Sequence, residues 1–164
     1  MADSIEQKLI TRALAVAAAI NGTGSYQTTL GTTINEAGAT VQSIADSRPN
    51  WDQNELPALS IFQGEVEVGE IDDEANQVLR KMLLVFRGAL ERGTDASTAR
   101  KFLADIQRVI RAAGDKWVVS NVQLAHHTEE SKHAIEITED TYEITGVEQQ
   151  IFIYYVGNHM DLET

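Results

Sequence analysis

One amphipathic helix stands between two runs of strand-like sequence, and that arrangement restricts the fold more than any other feature of the chain. Across residues 97–113, Ala99, Phe102, Leu103, Ile106, Val109 and Ile110 fall on one helical face. Thr94 or Asp95 can cap the start, and Gly114 stands where a left-handed terminator belongs. Before this helix, residues 56–62 read as a strand with Pro57 near its beginning, where a missing N–H is tolerated. Glu65, Val66, Glu67 and Val68 alternate as a half-exposed strand does, and residues 69–76 read as a turn or loop. Residues 77–90 fit both periods. Val78, Met82, Val85 and Ala89 match a helix, whereas Val78, Met82, Leu84 and Phe86 match a strand. The strand is preferred because the next segment is the better helix and Gly93-Thr94 separates them. After the helix, strands are expected at 116–126, at 133–137 with 142–144, and at 147–156. Residues 151–156 are apolar on both faces, the mark of a central strand.

The amino terminus reads as a second helix. Asp3 and Glu6 have capping-box spacing, and Ile5, Leu9, Ala13, Val16 and Ile20 form a stripe that Asn21-Gly22 can stop. Residues 25–33 and 39–44 are Thr-rich and weakly alternating, which predicts two strands joined through 35–38. Residues 46–55 are polar and read as a loop that carries Trp51. Strands in runs, split by one long helix, predict an α+β fold. Its sheet should be mostly antiparallel or mixed, with the N-terminal helix and the central helix packed on one face. At 164 residues the chain fits a single domain over 1–164, with 157–164 as a frayed C-terminal tail.

Cysteine is absent, which removes disulfides, thiolate zinc sites and a cysteine nucleophile. Three of the histidines, His126, His127 and His133, lie near Glu129 and Glu130. They could gather across a hairpin as the metal site of a small hydrolase using His126, His133 and neighbouring acids. They could equally be a polar hairpin tip, since adjacent His126 and His127 on a strand point to opposite faces. No Gly-x-Ser-x-Gly elbow or phosphate loop occurs, and Gly22-Thr23-Gly24 lacks the third glycine of a dinucleotide fingerprint. No catalytic residue, cofactor or metal is therefore expected. A regulatory α+β domain binding a small ligand on its sheet is a further reading. No run of about 20 apolar residues is present to cross a membrane, and residues 9–20 carry Arg12 without the basic start of a signal peptide.

Charge is more informative. The formal net charge is −12, from 13 basic and 25 acidic residues, so the overall field does not attract nucleic acid. Residues 65–74 hold Glu65, Glu67, Glu70, Asp72, Asp73 and Glu74 with no base. Residues 129–148 hold Glu129, Glu130, Glu136, Glu139, Asp140, Glu143 and Glu148 against Lys132 alone. Nine of the 13 bases lie in 80–116, among them Arg100, Lys101, Arg108 and Arg111 on the central helix. These charges either coat solvent faces or form a head-to-tail contact in which the basic surface of one copy meets the acidic surface of the next. The second option makes Arg100, Lys101, Arg108, Arg111, the six acids of 65–74 and the loop aromatic Trp51 an interface. Such a contact can close a ring, and acidic turns facing its lumen would let a phosphate chain pass without sticking. Trp117 reads as core, and Tyr154-Tyr155 as split between two sheet faces.

The order of these elements, with the phrase Leu56-Pro57-Ala58-Leu59-Ser60-Ile61-Phe62 after a polar loop, a glutamate-bearing strand and a closing strand at 151–156, resembles the tail terminator proteins of long-tailed bacteriophages. These are also called neck or tail-completion proteins. The resemblance covers most of residues 3–156 and implies a small α+β structural protein that is not an enzyme and needs no cofactor. It implies hexameric rings that cap the tail tube, end its polymerisation and offer the head-tail joining surface. The implied partners are further copies of the chain, the tail tube protein and a head-side connector protein, with DNA passing through the lumen. The implied location is the virion, assembled in the host cytoplasm.

Overall fold

The computed structural model describes residues 4–30, 35–36, 56–72 and 74–158. Helix α1 spans Ile5–Ala17. Its cap is Ser4, whose hydroxyl accepts the Gln7 N–H at 3.1 Å; Asp3, expected in that role, lies outside the described residues. The helix stops before Asn21-Gly22. Ala19 N–H turns to Val16 O and Ile20 N–H to Ala17 O, both at 3.1 Å, so the last turn tightens to three-residue bonds.

The strand expected from residue 25 does not form over 25–30, where Thr29 makes only an isolated bridge to Asn21. The N–H groups of Gln27 and Thr28 are taken instead by the Asp105 carboxylate, at 3.0 and 2.7 Å. Strand β1, Asn35–Glu36, falls where a turn was expected and runs parallel to the next strand. The strand expected at 39–44 and the loop expected at 46–55 lie outside the described residues.

Strand β2 covers Ala58–Asp72 and merges the two strands read at 56–62 and 65–68. Bulges between Gln63 and Val66 and between Val68 and Ile71 let it continue through the glycines. Asp72 Oδ1 accepts the Ala75 N–H at 3.1 Å and Asn76 takes φ 51°, which confines the reversal to the end of the expected loop. Strand β3, Gln77–Ala89, follows. Its ambiguous pattern resolves because both sides are covered mid-strand: Met82, Leu84 and Phe86 face the main core, while Val85 packs with Phe62 and Leu83 on the other side.

Helix α2 spans Ala96–Ala113 and is capped by Asp95, which accepts the Thr98 N–H and hydroxyl, each at 2.8 Å. The strand expected at 116–126 is instead a tight hairpin of β4, Val118–Val119, and β5, Val122–Gln123. Ser120 (φ 49°) and Asn121 (φ 64°) make the left-handed turn that suits two-residue hairpins. Trp117 is fully buried, as expected, and its indole N–H reaches Thr128 Oγ1 at 3.0 Å. Strands β6, His127–Ile137, and β7, Ile144–Asn158, complete the fold. Tyr142 belongs to the turn between them, with φ 54°. Gly157 and Asn158 continue β7 opposite Val78 and Gln77, so the expected tail is strand at its start; 159–164 lie outside the described residues.

The sheet order is β1-β2-β3-β7-β6, antiparallel except for β1 against β2. The fold is α+β, and β7 is interior, as its two apolar faces require. Leu9, Ala13 and Ala17 of α1 and Phe102, Ile106 and Val109 of α2 join Ile61, Met82, Phe86, Ile151 and Ile153 in one core. The distal half of β2, from Glu65, is mostly exposed and forms, with the turn into β3, an arm at the sheet's edge whose β3 strand stays paired with β7 as far as Gln77.

Gly88 sits under this core. A Cβ there would lie 2.4 Å from Phe102 Cε1 and 2.9 Å from Val147 Cγ2. Gly88→Ala is expected to cost about 1–3 kcal/mol through overpacking, read as a lower urea midpoint with an unchanged slope.

Candidate functional site

The charged residues named from the sequence divide into two groups once folded. The first group is neutralised within the chain. Arg111 lies 3.3 Å from Glu130, and Arg92 pairs with Glu143. Arg87 lies 3.4 Å from Glu136 and 3.3 Å from Glu148, with all three side chains less than a fifth exposed. Most of these acids belong to the segment 129–148, and their partners to the basic segment 80–116. Segregation along the sequence is therefore pairing in space. Of the bases expected at an interface, Arg111 is thus paired with an acid of its own chain.

Arg108 is also engaged. Its Nη1 donates to Asp105 Oδ1 at 2.8 Å and to Ser25 O at 3.0 Å. Asp105 is fully buried on α2, and its other oxygen holds the Gln27 and Thr28 amides. Arg108 and Asp105 thus tie the segment after α1 onto α2, a structural role the sequence did not reveal. Asp105→Ala strands two amides and a guanidinium, and is expected to destabilise by about 3 kcal/mol. Hydrogen exchange at Gln27 and Thr28 should rise with it.

The second group has no ion pair among the described residues. It comprises Arg100 and Lys101 on the exposed side of α2, and Glu65, Glu70 and Glu74 on the arm. Glu67 is partly engaged by Lys81 at 3.6 Å, and Asp72 holds the turn. Asp73 and Trp51 lie outside the described residues. The arm also exposes two large aliphatics, Val68 at 62% and Ile71 at 49%.

The open side of the sheet carries a chain of contacts that the sequence reading missed. Lys81 Nζ sits 4.0 Å from the centre of the Phe152 ring. Tyr154 donates to Glu129 at 3.1 Å, and His127 lies 3.0 Å from the same carboxylate. These two hydrogen bonds hold the Glu129 carboxyl below the usual range. Tyr155 points the other way, as expected. Burial and the hydrogen bond its hydroxyl donates to Glu6 push it above the ordinary tyrosine range.

The histidines do not converge. His126 precedes β6, and His127 and His133 stand six residues apart on it, about 20 Å along a strand. They lie opposite Tyr154 and Gln149, which face different sides of the sheet. Among the described residues no group of three or more His, Asp or Glu side chains could hold a metal ion. A cavity of about 380 Å³ opens instead between α1 and the β4–β5 hairpin, lined by Lys8, Thr11, Arg12, Ala15, Val119, Val122 and Leu124. Among the described residues no helix is long and apolar enough to cross a membrane.

No protein-family model matches this chain, and no curated protein matches it either.

Burial pushes Glu148 up, but the Gln150 hydrogen bond and the Arg87 charge outweigh it and hold the carboxyl below its usual range. A depressed folded value gives stability that is present at neutral pH and lost as pH falls through the carboxylate range. Glu148→Gln is expected to lower stability at pH 7 and to flatten the acid limb. The urea-stability curves of the two proteins should converge as pH falls below about 4.

Proposed function

We propose that this chain is a structural ring protein that caps the tail tube of a long-tailed phage, ends tube polymerisation and offers the head-tail joining surface. The observation that carries the reading is the arm. It carries the edge of an α+β domain past its core with the exposed aliphatics Val68 and Ile71 and with Glu65, Glu70 and Glu74, which make no ion pair among the described residues. A surface of that kind favours assembly with another protein surface over chemistry on a small substrate. The order of elements and the Leu56–Phe62 phrase supply the link to tail terminators. In this reading the partners are further copies of the chain, the tube protein and a head-side connector.

The net charge of −12 supports passage of DNA through the ring, since acidic walls repel phosphate. Arg108 and Arg111 are committed to Asp105 and Glu130. Arg100 and Lys101 are therefore the basic residues offered to a partner. The hydrolase reading drew on His126 and His133, of which the first precedes β6 and the second lies well along it.

The test is tube growth in vitro. Adding the purified chain to polymerising tube protein should shorten the tubes in proportion to dose and place density at one end of each. Arg100→Glu with Lys101→Glu should keep the circular dichroism spectrum and need about tenfold more protein for the same effect. Tubes of unchanged length with bare ends would overturn the reading.

A further inference from the structure

The cavity between α1 and the β4–β5 hairpin is an apolar slot with a basic rim. Lys8, Thr11, Arg12 and Ala15 share one side of α1 and form one wall; Val119, Val122 and Leu124 form the other. Val119 and Val122 remain 39% and 58% exposed there. Neither Lys8 nor Arg12 makes an ion pair among the described residues. Arg12 Nε is buried with no hydrogen-bond partner.

The arm has the opposite character. Glu67, Val68, Glu70, Ile71 and Asp72 bring carboxylates and exposed aliphatics together along one strand. Ile71 and Val68 lie opposite Val78 and Arg80, positions in line with Met82 and Leu84 on the helix side of β3. The arm therefore offers its exposed aliphatics on the helix-facing side of the sheet, at its edge. The slot offers aliphatic walls and two cations on its rim; the arm offers exposed aliphatics on one face and carboxylates, Glu67 and Asp72 among them, on the other, so an edge strand seated between the two walls presents both. Both surfaces are open in the single chain.

We propose that the β2–β3 arm of one copy seats in the α1/β4–β5 slot of a second copy. Val68 and Ile71 fill the space beside Val119 and Val122, and Glu70 comes within reach of Lys8 and Arg12. The contact joins two different surfaces, so it propagates head to tail and can close a ring. Burial of the aliphatics supplies affinity, and the charges set register. The proposal deepens the assembly reading and rests on it only for the meaning of the ring.

The absence of cysteine makes a direct test available. Ile71→Cys and Val122→Cys are made as separate proteins and mixed under mild oxidation. A covalent heterodimer is expected from the mixture. A chain carrying both substitutions should give a ladder that ends at a fixed size. Arg12→Glu in the Val122→Cys partner should cut the yield about tenfold, and Glu70→Arg in the other partner should restore it. Failure to form the heterodimer from folded proteins would overturn the proposal. So would binding of dodecanoate, abolished by Arg12→Glu, with no cross-link formed, because the slot would then take a small anionic amphiphile. Tube capping without the cross-link removes this contact and leaves the terminator reading. The cross-link without tube capping does the reverse.

Discussion

The unbroken antiparallel pairing of β3 with β7 organises the rest of the molecule. It runs from Gln77 opposite Asn158 to Ala89 opposite Gly146 with no bulge. Because side chains alternate along both strands, this register fixes which residues face the helices: Met82, Leu84 and Phe86 on β3, and Ile151, Ile153 and Tyr155 on β7. A slip by one residue would move that whole set to the open side. The same register sets Gly88 opposite Val147, where the missing Cβ leaves room for the Phe102 ring. Helix α2 packs closely on the sheet there, so the strand pairing helps to place the helix.

The register also accounts for most of the charge. Arg87 meets Glu148 directly across β3 and β7, and Glu136 joins from β6. The acidic block of 129–148 and the basic block of 80–116 thus form partners inside one domain. What remains is the acid of the arm, where Lys81 lies 3.6 Å from Glu67. An isolated exposed pair of that kind contributes little, so the arm keeps most of its negative potential.

Much of the fold was legible because it follows from period alone. The α2 stripe, the Asp95 cap, the interior position of β7 and the burial of Trp117 all appear in the structure. The hairpin at 118–123 was hidden because Val118, Ser120 and Val122 alternate as one strand would, and only Asn121 hinted at a turn. The missing strand at 25–30 was hidden for a longer-range reason. Its amides are claimed by Asp105, more than seventy residues away in sequence. The pairing of the two charge blocks was hidden similarly, since a block along the chain says nothing about which block it faces after folding. The slot was invisible because its two walls come from opposite ends of the described chain.

A projecting arm raises a difficulty that its composition answers. Beyond Ile61, β2 has no described partner on its outer edge, because β1 pairs only at Ser60 and Ile61. Free strand edges invite other chains to add to the sheet indefinitely. The two bulges of β2 break the regular spacing of edge groups, and Glu65, Glu67 and Glu70 place like charges where two such edges would meet. Edge-to-edge pairing between copies is thereby opposed, while a cationic, apolar recess is still able to receive the side chains. In the proposed contact, an arm built this way would discriminate between two modes of self-association by its charge and its bulges. It disfavours the open-ended one and leaves available the one whose geometry can close.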